Sequence, residues 1–379
     1  MNLKVSSLVS FSIALILFIS ATFGISLISV AILPLIMIKT GKLEVSDRVV
    51  MGLLIAITAL CALLLLLSDG SSKLLSGSVF QSYIPYLSLL FISFIIGSNL
   101  DNQIVRFLLI FITIESLIII YQYSVGITGF GYNNYEANEL GEDLLYYSRP
   151  NGLSIGTSSV AIKLLILFRY MIDKVKIFGP NWVKIVLLIN SMALLFTFNR
   201  TVMACIFAFF VFTMFKRLRT EKYAGLILVG VIITVLAFSS VILSQVFRDR
   251  DILSEVAYRM AVYDKGLLFI KENLVFGNFG TKYYFEQGGR TFHLHNSFLE
   301  TLASNGIIVM ALIVILLIVL IRRGDGKNVL LFSMASILQF GLFWGLSIMD
   351  IFLFTNPKNI DASVDKESAE KSELNMNKI

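Results

Sequence analysis

Residues 297–321 read SFLETLASNGIIVMALIVILLIVLI, and the architecture turns on them. From Ile307 to Ile321 no polar side chain interrupts the run. A membrane-spanning helix needs roughly 20 predominantly apolar residues, within a range of about 17 to 25. Ser297-Phe298-Leu299-Glu300 has capping-box spacing, in which Ser297 and Glu300 would satisfy the first amides of a helix, so a transmembrane helix is expected to begin there. Long uncharged runs of this kind mean helices rather than alternating barrel strands.

The same reading extends along the chain. Hydrophobic residues make up 57% and charged residues 15%, with a mean hydropathy of +0.84, so most of the chain is at rest only in lipid. Further segments at roughly 5 to 22, 25 to 38, 49 to 67, 82 to 98, 104 to 125, 153 to 172, 182 to 198, 200 to 215, 223 to 243 and 329 to 354 meet or approach that length. The expectation is an all-α integral membrane protein of about eleven transmembrane helices. Only Thr22-Phe23-Gly24 divides the first two segments. The first shows no small-residue cleavage site before a soluble domain and is expected to be a retained span. Cys61 and Cys205 lie inside apolar runs and read as core residues, with no disulfide framework.

Basic residues orient the bundle. The connections carrying Lys39, Lys42 and Arg48; Arg106; Arg169, Lys174, Lys176 and Lys184; Lys216, Arg217, Arg219 and Lys222; and Arg322, Arg323 and Lys327 alternate with connections of few charges, which places them on the cytoplasmic side. This bias accounts for the net charge of +6 without a nucleic-acid partner. Two sizeable loops, about 126–152 and 244–296, are then outer. The second holds Arg248, Arg250, Arg259, Lys265, Lys271, Lys282 and Arg290; a basic outer loop suggests an anionic ligand. Residues 1–355 read as a single polytopic membrane domain and 356–379 as a polar, disordered tail, placed outside by helix parity. No internal repeat or matched pair of Gly/Pro-broken spans is visible, which counts against a secondary transporter. Glu115 and Lys163 fall at similar depth in neighbouring spans and are expected to pair, structurally or along a substrate passage.

The second outer loop is organised. Val256, Ala257, Met260, Ala261, Leu267, Leu268 and Ile270 suit a surface helix over about 254–273, capped by Ser254. Arg259 and Tyr263, four apart, share a face of it. Two glycines in Phe276-Gly277-Asn278-Phe279-Gly280 break the helix. The chain's only histidines, His293 and His295, follow, and Asn296 adjoins the next helix start, where exposed amides favour an anion. Ser297 and Glu300 read first as cap residues. With no third histidine, free cysteine or carboxylate cluster nearby in sequence, no metal and no cofactor is expected.

These residues carry a resemblance. Arg259-x3-Tyr263, Phe276-Gly277-Asn278-Phe279-Gly280, His293-x-His295-Asn296-x2-Leu299-Glu300 and Asn305-Gly306-Ile307 resemble the signature of the O-antigen polymerase and ligase superfamily. Its members are bacterial polytopic glycosyltransferases acting on polyprenyl-diphosphate-linked glycans. Asn199-Arg200-Thr201 opening a span and Arg149-Pro150-Asn151-Gly152 before another resemble further family motifs. Tyr263 stands where Trp is usual and Asn199 where Ser is common. The resemblance implies a GT-C-like bundle in the bacterial inner membrane with its site facing the periplasm. It also implies inverting, metal-independent transfer of a glycan from polyprenyl diphosphate to a sugar hydroxyl. His295 is then the favoured general base and His293 the second candidate. Arg200, Arg259, Arg149 and Arg290, with Asn296 and Tyr263, are the candidate ligands of diphosphate and glycan, because guanidinium forks pair bidentately with phosphate oxygens. The polymerase, which extends another lipid-linked repeat unit, is favoured; the ligase, which transfers polymer to the lipid A core, is the alternative. A flippase or other transporter of lipid-linked oligosaccharide, with its critical charges at Glu115 and Lys163, is a reading from another class. The implied partners are the lipid-linked donor, the glycan acceptor, membrane lipid, a chain-length regulator and a flippase.

Overall fold

A computed structural model describes residues 3–43, 47–68, 86–130, 150–173, 180–197, 199–217, 252–287, 290–292, 294–338 and 341–355, with isolated positions 225, 229 and 233. The expected span at 223–243, and the tail from 356, lie outside the described residues apart from those positions.

The described chain is helical apart from one small hairpin. Helix α1 (Leu3–Phe23) ends at Gly24, whose φ of +66° turns the chain. A 3-10 turn (Ser26–Ala31) leads into α2 (Ile32–Thr40), so the division expected at Thr22-Phe23-Gly24 is real. Helix α3 (Arg48–Leu67) is capped by Asp47, and a 3-10 turn (Tyr86–Leu89) opens α4 (Leu90–Ser98). Then come α5 (Asn102–Val125), α6 (Thr157–Asp173), α7 (Pro180–Phe196), α8 (Arg200–Arg217) and α9 (Ile252–Glu272). The antiparallel strands β1 (Phe285–Gln287) and β2 (Arg290–Phe292) precede α10 (Ser297–Leu320), α11 (Gly326–Leu338) and α12 (Ile348–Leu353). Among the described residues four helical stretches are long and apolar enough to cross a membrane: Val5–Phe23, Arg48–Leu67, Asn102–Val125 and Ser297–Gly324. Shorter apolar helices, including Tyr86–Ser98 and Trp182–Phe196, stand among them. A multi-pass membrane protein follows.

The bundle is assembled by α1 packing along α5, α5 along α7, and α10 along α3. Apolar rows on these helices interlock over one extended core that includes Ile13, Leu17, Leu108, Ile112 and Ile313. Ion pairs between Lys39 and Asp101, and between Arg323 and Asp47 at 3.1 Å, bring three expected cytoplasmic connections to one end. Because α10 runs away from its first residue toward Arg323, Ser297 stands at the opposite end.

The region expected as one span over 329–354 is two helices. From the first turn of α12 Asp350, fully buried, reaches back to the break and accepts hydrogen bonds from the amides of Phe343 (2.6 Å), Trp344 (3.0 Å) and Ser347 (3.3 Å) and from the Ser347 hydroxyl (2.8 Å). Gly345 adopts φ +91°, and its carbonyl accepts from Ser93. A break at membrane depth is tolerated only where freed backbone groups find partners, and one carboxylate supplies several of them here.

The expected pair of charges is present. Lys163 Nζ lies 2.5 Å from Glu115 Oε2, and both side chains are buried. Lys163 also donates to Thr22 Oγ1 at 2.8 Å and sits over the Phe18 ring. The other Glu115 oxygen accepts from Leu153 N (3.1 Å) and Ser154 Oγ (2.9 Å), while Gln122 exchanges two hydrogen bonds with the backbone of Gly152. Breaking such a pair leaves an uncompensated buried charge, so Lys163→Met should cost about 3 to 5 kcal/mol. Adding Glu115→Gln should restore part of that loss, as thermal unfolding in detergent would register. Equal stability of the single and double variants would count against the pairing.

Candidate functional site

The two glycine motifs read separately in sequence form one joint. Helix α10 is kinked at Gly306, where φ is +76° and ψ 179°. The kink frees the carbonyls of Ala303 and Ser304, which accept from Asn278 N (2.8 Å) and Gly280 N (2.9 Å), while Ile307 N donates to Leu274 O (2.8 Å). A side chain at Gly306 would meet the Val275 carbonyl at 2.0 Å, and one at Gly277 would meet Gly306 N at 2.6 Å. Both positions also have positive φ, so backbone approach and conformation together require glycine. Beside them Asn305 donates to Tyr86 Oη at 2.9 Å and accepts from Cys61 of α3.

The joint fixes the stretch that carries the histidine. Leu294 is buried with Val262 and Ile270 of α9 and Ala303 of α10, and it occupies the space a side chain at Gly266 would need. His295, half-buried, comes next, followed by Asn296. The capping arrangement is shifted by one residue from expectation. Asn296 is the N-cap, its Oδ1 accepting from Phe298 N and Leu299 N at 3.0 Å each. Those amides are therefore engaged by the protein, and Asn296 retains only its own N–H donors for a ligand. Ser297, instead of capping, accepts from Gly341 N at 3.0 Å and ties α10 to the segment held by Asp350. Glu300 closes no capping box: it is 3% exposed, and neither carboxylate oxygen has a hydrogen-bond partner among the described residues.

Helix α9 also differs in detail. It starts at Ile252, so Ser254 lies within it rather than at its cap. Its buried face is Val262, Gly266 and Ile270, spaced by one turn, whereas Met260, Leu267 and Leu268 point outward. Tyr263 packs half-buried beside that face. Arg259 lies on the same helix and Arg290 on β2, and their side chains fall outside the description. Arg200 is the first residue of α8, where Asn199 caps the helix by accepting from Val202 N at 3.1 Å. His293 and Arg149 lie outside the described residues. Arg149 directly precedes Pro150, and thus the stretch anchored by Glu115 and Gln122.

Sequence reasoning missed the other half of the polar site. Lys282 is held over the rings of Tyr86 and Trp344. Burial pushes its ammonium down to about 8, and the Glu300 and Asp350 carboxylates pull in the other direction. Asp350 had one legible signal, a lone acid in an apolar run with Ser347-x2-Asp350 spacing. Lys282 had none beyond its place in a basic loop. Among the described residues no group of three or more His, Cys, Asp or Glu could hold a metal ion.

A helix bundle with a histidine, a buried carboxylate and a lysine gathered at one end defines a multi-pass membrane protein with a polar site at the bundle's mouth. Residues 185–314, roughly a third of the chain, match the model of the O-antigen ligase family, consistent with the O-antigen polymerase and ligase superfamily. The match takes in α8, α9, the hairpin and α10 through its kink. Among curated proteins none matches.

Gly306→Ala combines a disallowed backbone with a clash, and is expected to destabilise the protein by about 3 to 5 kcal/mol; unchanged thermal unfolding in detergent would refute the joint. For Lys282, a ¹³C-dimethyl label should titrate near pH 8 and lower still in Glu300→Gln. The sign for stability follows from proton counting: above that pH the unfolded chain holds a proton that the folded chain has released. Stability from this group therefore rises as pH climbs from about 8 toward the ordinary lysine value of roughly 10.4.

Proposed function

We propose that the protein is a surface-polysaccharide polymerase of the bacterial inner membrane, with O-antigen as the product its family match favours. It transfers a glycan from polyprenyl diphosphate to a sugar hydroxyl of another lipid-linked repeat unit. The observation that carries this reading is His295, set by the glycine joint at the mouth of the bundle and lying inside the 185–314 family match. An imidazole can take the proton of the attacking hydroxyl at neutral pH. The oxygen then bonds to the anomeric carbon as the bond to diphosphate breaks, and attack opposite the leaving group inverts that centre. Diphosphate needs its charge held rather than a proton donated, a task for arginine. Arg200 at the start of α8, Arg259 on α9, Arg149 and Arg290 fill that role. Since Asn296 engages the first α10 amides itself, the anion falls to these side chains. In this reading the chemistry needs no metal, and His293 is the second candidate base.

The end carrying Lys39 and Arg323 is cytoplasmic by the positive-inside rule, and the His295 end is then periplasmic. We take residues 1–355 as one GT-C-like domain of about eleven crossings, the last made in two pieces by α11 and α12. A chain-length regulator and a flippase complete the expected set of partners. The ligase reading, transfer of polymer to the lipid A core, is supported by the description of the matched family itself.

The lipopolysaccharide of a deletion strain separates the two. A core capped by a single repeat unit is the outcome expected for a polymerase, whereas bare core indicates a ligase. Complementation with His295→Ala should lower transfer by about 10² to 10⁴. Full glycan length and yield with that allele would overturn the base assignment.

A further inference from the structure

Glu300 is the buried group that nothing above uses. Its neighbours along α10 are all committed: Asn296 caps, Ser297 binds Gly341 N, Thr301 binds its own helix and Asn305 binds Tyr86. Glu300 alone has two carboxylate oxygens buried without a single hydrogen-bond donor, from Lys282 or from any other described group. A buried carboxylate without donors is costly, and donors arriving from outside the fold would relieve that cost. It lies in the first turn of the helix that follows His295. With Asn296 as N-cap, His295 and Glu300 hold the N′ and N4 positions, which meet across a helix start.

The surroundings specify the kind of donor. Lys282 is within electrostatic reach of Glu300 and lies over the rings of Trp344 and Tyr86. Trp344 belongs to the segment whose amides Asp350 holds, so the backbone that carries its ring is fixed. An acceptor carboxylate and a donor ammonium within electrostatic reach of each other, with aromatic rings beside the ammonium, suit a hydroxyl, which gives one hydrogen and receives another. Carrying several hydroxyls on an otherwise apolar ring, a sugar meets both requirements at once.

We propose that Glu300, Lys282 and Trp344 form a sugar subsite that grips hydroxyls of the glycan beside His295. The proposal rests on the glycan-transfer reading and adds where the sugar is held. In this arrangement Glu300 accepts from one or two hydroxyls, Lys282 donates to an oxygen of the same ring, and the held sugar is presented to the base. It also makes Glu300 a determinant of specificity, because a site built to bond a hydroxyl rejects a ring that lacks it.

The chain contains 2 tryptophans, and Trp182 lies exposed on α7. Trp182→Phe in the full-length purified protein therefore leaves Trp344 as the sole tryptophan, read by excitation on the red edge where tyrosine does not absorb. Titration with the lipid-linked repeat unit extracted from the parent strain should change Trp344 emission saturably, and should do so equally with His295→Ala. Glu300→Gln, which preserves shape, should weaken that binding by about tenfold or more and raise the KM for the repeat unit more than it lowers kcat; Glu300→Ala should do the same more strongly. Unchanged emission at concentrations that support turnover, or a Glu300→Gln enzyme with the parent's KM and binding, would overturn the subsite while leaving glycan transfer standing. Conversely, saturable and Glu300-dependent emission without any turnover would uphold the subsite and count against the transferase reading.

Discussion

A backbone without a side chain organises this protein's site. At Gly306 helix α10 stops obeying its own hydrogen-bond ladder, and the turn after α9 inserts its amides into the gap. In water such a break could be solvated, but in a bundle the freed carbonyls must be met by protein. The turn that meets them is the one that leads to Leu294 and His295, so the helix break and the histidine's position are a single structural event. Asn305 extends the same constraint to Tyr86 and α3, and Ser297 extends it to the Gly341 segment. Loss of contact at the joint would loosen the site's floor and its wall together.

That dependence shapes what was legible in the sequence. Long apolar runs announce themselves, because 3.6-residue helices in lipid need little besides length and hydrophobicity, and α1, α3, α5 and α10 stand where their runs predict. The glycine motifs were visible as motifs, but nothing in linear order says that the backbone at Gly306 fills the space of a side chain at Gly277 while that at Val275 fills the space of one at Gly306. The cap is a subtler case. Asn296 and Ser297 are both good N-cap residues, and only the tertiary claim of Gly341 N on Ser297 decides between them. The break between α11 and α12 was hidden for the opposite reason, since its polar determinant is one aspartate in an apolar stretch that hydropathy averages away.

Chemistry-bearing residues split along similar lines. Histidines are rare enough here that two of them draw notice wherever they fall. Lysines and glutamates are common in loops and at helix starts, so Lys282 and Glu300 acquire meaning only from burial, from the rings of Tyr86 and Trp344, and from each other. A cap-like spacing that turns out to leave its carboxylate unused is the informative failure, because it separates a residue placed for the helix from one placed for something the helix does not contain.

The pair formed by Glu115 and Lys163 has a consequence of an electrical kind. A single ionised group in a bilayer experiences the membrane voltage, at about 2.3 kcal/mol per 100 mV for each charge carried across. Two opposite groups in contact sum to zero whichever holds the proton, so the field exerts no net force on them. The segment after Arg149 is tied to Glu115 and Gln122, so its anchor is indifferent to the energised state of the cell. A lone charge at either position would instead make the posture of that segment follow the membrane potential.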